Sequence, residues 1–166
     1  MTVARVNREV NAEIEFQPDW DSRGVEDFWC FPAEGVGDCE DFALEKRRRL
    51  VALGLSGAAL SLAIVHHTER FFGHTLLLAE TTAGTFVLDN LDDSLRCWDA
   101  VPYRYERREG LDGRWFRYEP YRARRVDRIN KNSNLNCGSD ACLVDGGTAS
   151  LVFRAWRWRI HQTAAV

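Results

Sequence analysis

No apolar run in the sequence is long. The longest stretch, from Ala58 to Val65, is interrupted by Ser61, far short of the ~18–20 apolar residues that a membrane-spanning helix requires. A basic excess is also missing: 22 Lys and Arg stand against 25 Asp and Glu, a net charge of -3. Nucleic acid is therefore not the expected partner, because phosphate binders carry clustered positive charge. The N-terminus lacks the apolar core of a signal peptide, since Met1–Phe16 carries Arg5, Arg8, Glu9, Glu13 and Glu15. On this reading the chain is either cytoplasmic or stands without its export signal. No C-x-x-C spacing occurs among the cysteines at 30, 39, 97, 137 and 142. Their odd number and low density argue against a disulfide framework. A zinc site is not expected either, because only His161 follows Cys137 and Cys142 as a nitrogen ligand.

What is present suits one domain with a real core: 166 residues, 45% of them hydrophobic and 28% charged. The charge divides the chain. Residues 1–120 carry 14 basic and 22 acidic groups, whereas residues 121–166 carry 8 and 3, with no Glu. This split reads as a functional core over 1–120 and a basic C-terminal appendage over 121–166.

Val3, Val6, Val10 and Ile14 recur at helical spacing and predict an opening amphipathic helix. Pro18–Gly24 ends it, and 27–37 reads as loop. A second helix is predicted from Asp38 to Gly54, with Asp38 as N-cap, Asp41 as the acidic half of a capping box, and Lys46–Arg49 favouring the helix dipole. Strands are predicted over 60–65, 74–80, 85–88, 103–107 and 115–118. Helices preceding consecutive strands indicate an α+β fold, N-terminal helices packed on an antiparallel sheet.

Cys39 falls at the first position of the second helix, where unpaired N–H groups favour a thiolate and can bind an oxyanion. Asp38, Glu40 and Asp41 work against it by repulsion. The hairpin supplies a base. A four-residue loop Thr81–Gly84 pairs Glu80 with Thr85, which puts His74 opposite Leu91 with Asp89 its diagonal neighbour; a shift by two puts His74 directly opposite Asp89. Nucleophile, base and orienter then converge as Cys39, His74 and Asp89. His66 and His67, at a strand end, are rival bases expected to be exposed.

Asp27-Phe28-Trp29 with Pro32 and Glu34, Gly37-Asp38-Cys39-Glu40-Asp41-Phe42-Ala43 with Lys46, Gly73-His74, and Val87-Leu88-Asp89-Asn90 together resemble the bacterial transglutaminase-like cysteine proteinases. The LapG-type branch of that family consists of periplasmic proteases that clip biofilm adhesins. The resemblance implies a papain-like, transglutaminase-like fold and a triad of Cys39, His74 and Asp89. It also implies calcium, held by Asp38 and Glu40 with Asp41 as a third oxygen donor, and a protein or peptide substrate of the cell-surface adhesin kind. Acyl transfer to an amine, and a non-catalytic binding module, are the competing functions of the same fold.

Overall fold

In the computed structural model the described residues are 3–32 and 35–118; the appendage over 121–166 lies outside them. Helix α1 spans Val3–Glu13 and buries Val6, Asn7 and Val10, as the spacing predicts. The segment read as a break holds a short helix, α2, Asp19–Arg23, closed by Gly24 in the left-handed region at φ 71°. Two-residue strands β1 (Glu15–Phe16) and β2 (Val36–Gly37) pair in parallel and fasten the 27–37 loop to the end of α1. Helix α3, Cys39–Ala52, follows with Asp38 as its N-cap.

The remaining strands are β3 (Leu60–His67), β4 (Gly73–Thr81), β5 (Gly84–Leu88), β6 (Arg96–Cys97), β7 (Tyr103–Glu109) and β8 (Trp115–Arg117). They form one antiparallel sheet in the order β6-β5-β4-β3-β7-β8. Glu80 pairs with Thr85, the register the hairpin predicts, but Thr81 also pairs with Gly84, so the turn is two residues rather than four. Strand β6 was not legible in the sequence. The α+β class holds.

Strand β4 sits at the centre of the sheet and is buried on both faces from His74 to Ala79. Towards the helices, Leu60, Leu62, Leu77, Ala79 and Leu88 pack with Val6, Val10, Ile14, Phe42, Ala43 and Leu50, and Trp29 is half-buried against them. On the opposite face Ala63, Val65, Leu76, Leu78 and Val87 meet Trp98, Val101, Tyr103 and Tyr105. Each fully buried Leu or Val contributes about 1.5–3 kcal/mol relative to exposure. Packing on both sides leaves β4 little freedom to slide, which fixes the position of His74 near its start. The basic run of α3 is not uniformly solvated: Arg48 and Arg49 pair with Glu45, and Arg49 also with Glu13, but Lys46 is buried.

Candidate active site

Cys39 is the first residue of α3, where the opening turn leaves its N–H groups without intrahelical partners. The backbone N–H of Thr75, next to His74 on β4, faces the same sulfur. The thiol donates to Glu40 Oε2 at 3.2 Å. Burial first, then the charges of Glu40 and Asp38, push the thiol well above its ordinary range, against the opposing effect of Thr75. Burial, with the neighbouring carboxylates adding to it, therefore outweighs the Thr75 N–H in this state; the carboxylates act in the direction the sequence indicates.

His74 is buried, and its Nε2 lies 2.8 Å from Asp89 Oδ1. The pair forms where β4 begins and just past the end of β5. Asp89 Oδ1 also accepts from the Leu91 backbone N–H at 2.9 Å, and Oδ2 accepts from the Tyr103 hydroxyl. Burial alone would raise the Asp89 carboxyl, but the bonds and charge from His74, together with Tyr103 and Leu91, hold it below the usual range. It is an ionised acceptor at neutral pH.

Several supports of this pair were not legible. The Tyr103 ring lies against His74, with centroids 5.7 Å apart. Asn11 on α1 donates to the Asp89 carbonyl at 2.9 Å and to Asp93 Oδ1 at 2.8 Å, while Asn7 donates to the Asp92 carbonyl at 2.9 Å. Lys46 is pulled down to about 7 by burial, with Asp89 and Asp93 opposing.

The rival bases are elsewhere. His66 is partly exposed and pairs with Glu106 at 2.7 Å. His67 is buried, contrary to expectation: its Nδ1 accepts the N–H groups of Glu69 and Arg70, both at 3.3 Å, and so closes the β3–β4 turn.

The capping box does not form. Asp38 makes no side-chain cap bond, and Asp41 instead accepts from the Cys30 N–H at 3.0 Å. Both acids turn towards a carboxylate cluster that draws in Asp19, at the start of α2, and Asp27 from the loop that follows it. Ligand atoms of Asp38, Cys39 and Glu40, of Asp19, Asp38 and Asp41, and of Asp19, Asp27 and Glu40 lie within 4.8 Å of one another in each group. Asp38 Oδ1 and Glu40 Oε1 are buried without a hydrogen-bond partner. Burial, followed by hydrogen bonds to Asp27 and Asp38, pushes the Glu40 carboxyl up to about 9. Burial raises Asp38 and Asp41 as well. Arg23, 3.4 Å from Asp19, offsets one edge. A cage of oxygen donors with orphaned acceptors fits a hard divalent cation.

The family model described as bacterial transglutaminase-like cysteine proteinase matches residues 1–134. Among solved structures, calcium-bound LapG of Legionella pneumophila is similar at 25% identity and a TM-score of 0.59, over 72% of this chain and 71% of that one. A second LapG structure from the same organism gives 26%, 0.58, 68% and 66%. The EGTA-treated form gives 26%, 0.53, 64% and 60%. A search of the curated proteins finds no match.

Proposed function

Because the chain belongs to the bacterial transglutaminase-like cysteine proteinases, we propose that it is an endopeptidase whose nucleophile is Cys39, whose base is His74 and whose orienting carboxylate is Asp89. The observation that carries this reading is the buried His74–Asp89 pair at 2.8 Å, on the strand whose next residue, Thr75, presents its N–H to the Cys39 sulfur. With Nε2 donating to Asp89, Nδ1 is the ring atom left to move a proton.

His74 Nδ1 takes the Cys39 proton, and the sulfur adds to the scissile carbonyl. The oxyanion is met by N–H groups at the start of α3. Collapse breaks the C–N bond as His74 returns the proton to the leaving amine. Water, deprotonated by the same nitrogen, then cleaves the thioester to a free carboxylate and restores the thiol. Asp89 keeps the ring in one tautomer and stabilises the imidazolium.

Asp38, Glu40 and Asp41, joined by Asp19 and Asp27, would hold calcium. That ion would supply positive charge beside the sulfur and offset the carboxylate repulsion that adds to burial in keeping Cys39 protonated. The similarity to calcium-bound LapG of Legionella pneumophila supports the same reading. By family likeness, the substrate is a cell-surface adhesin met in the periplasm.

The test is digestion of a peptide library by the wild-type protein, with calcium or EGTA and with Cys39→Ala as the blank. New free carboxyl termini only in the wild-type, calcium-containing sample support the reading. Products joined to an added amine instead would reassign the chain to acyl transfer, and no product at all would refute catalysis.

A further inference from the structure

The turn between β3 and β4 is tied down from several sides. Besides the two bonds to His67 Nδ1, the His67 N–H donates to the Phe72 carbonyl at 3.0 Å, and the Phe71 N–H donates to the His67 carbonyl at 2.9 Å. The His67 ring stands edge-on to Tyr103, with centroids 5.2 Å apart, and Tyr103 in turn donates to Asp89. The turn is therefore held in register with the His74–Asp89 pair.

This well-anchored turn carries a residue that the fold does not need. Phe71 has φ 58°, the one positive φ outside glycine among the described residues. A left-handed backbone is disfavoured by a Cβ and free for glycine. Its ring is also 87% exposed, more than any other large hydrophobic side chain among the described residues. Neither packing nor backbone preference accounts for phenylalanine here. Strain maintained by its surroundings beside an active site points to a functional contact.

The neighbouring ring shows where that contact lies. Phe72 meets His74 edge-on, with centroids 6.0 Å apart, so Phe71 stands one residue from the ring that touches the base. The base must deliver its proton to the leaving nitrogen, so the half of the substrate C-terminal to the scissile bond runs past His74. Leu91, 47% exposed two residues after Asp89, extends the apolar rim at this end of the sheet.

We propose that Phe71 is a specificity-determining residue that contacts an apolar side chain of the polypeptide substrate, within a few residues C-terminal to the scissile bond. The inference rests on the peptidase reading and specifies the substrate class for the same site. The occupant is the substrate chain itself, because Phe71 directly precedes Phe72, whose ring meets the base.

The test uses Phe71→Gly and Phe71→Ala in the full chain with calcium. Two fluorogenic peptide series are cleaved: one varies the residues after the scissile bond, the other those before it. Wild type should favour apolar residues in the first series. Both variants should lose that preference by about tenfold in kcat/KM, the worth of one hydrophobic contact, while preferences in the second series persist. Phe71→Gly should melt no lower than wild type, since glycine relieves the backbone. An unchanged preference in the first series, or a loss spread equally over both series, overturns the assignment. A lower melting temperature for Phe71→Gly shows that the ring serves the fold and overturns it too. If wild type cleaves no peptide, the peptidase reading fails, and this inference with it.

Discussion

Asn11 donates from α1 to the backbone carbonyl of Asp89 at 2.9 Å, so the first helix of the chain holds the residue whose carboxylate pairs with His74. The same amide reaches Asp93, and Asn7, one helical turn earlier and fully buried, holds Asp92. The loop after β5 is thus pinned at three points by one face of α1. Residues that fix an acceptor's orientation act through it and not on the substrate.

Asn11→Ala is expected to cost about 1 kcal/mol of stability, the usual worth of such a bond. It is also expected to lower kcat with little change in KM. A thermal melt and a Michaelis series check the two parts separately.

Removing the base and removing its orienter should differ. His74→Ala is expected to abolish turnover, while Asp89→Asn retains a residue of activity, down about 10⁴-fold by analogy with other triads. Tyr103→Phe withdraws one donor from Asp89 and should cost far less. Single-turnover rates for the three variants rank them. Near wild-type turnover in His74→Ala, with loss in His66→Ala or His67→Ala, would reassign the base.

Gly37 lies just before the acidic run, and there is no room for a side chain. An added Cβ would stand 2.7 Å from Asp41 Cβ and 2.8 Å from its Oδ2. Asp41 is itself held by the Cys30 N–H, so it cannot yield cheaply. Gly37→Ala is expected to weaken calcium affinity at least tenfold while leaving the sheet intact. Calorimetric titration with calcium and circular dichroism read the two effects.

The acidic cluster also sets a pH dependence. Without a cation, the folded-state Glu40 carboxyl is raised from 4.5 to about 9. Between those values the folded state binds more protons than the unfolded one. Stability is therefore fully present below about 4.5 and is lost as pH rises towards 9. The melting temperature of the EGTA-treated protein should fall across that window. Calcium, which binds the ionised carboxylates of the native state only, should flatten the fall and raise the melting temperature most at high pH.

The parts of the site that follow from local pattern were legible, and those that depend on long-range folding were not. A helix start places Cys39, and a short hairpin with a clear turn fixes the register that brings His74 to Asp89. Both arguments span few residues. Tyr103 reaches Asp89 only because β7 crosses to the far side of β3 instead of joining β6, and no local periodicity reports that. His67 was read as exposed because it ends a strand, but its ring is consumed in closing the next turn. Asp41 fits a capping box by spacing, yet the loop through Cys30 claims its carboxylate first. Lys46 lies in a run of four cations and by pattern only favours the helix dipole, whereas the fold buries it near Asp89. Asp19 and Asp27 join the cluster through the path of the 19–27 segment, which spacing alone does not specify.

The central claim is that Cys39 becomes a nucleophile through His74 once the neighbouring acids are neutralised. The most direct measurement is the pH dependence of Cys39 alkylation by iodoacetamide, followed by mass spectrometry, with Cys30 as the comparison thiol in the same molecule. In the calcium-loaded wild-type protein, Cys39 is expected to react well below the pH at which Cys30 does. EGTA or His74→Ala should each move the Cys39 profile upward. Identical Cys39 profiles in wild type and His74→Ala, with or without calcium, would contradict the account.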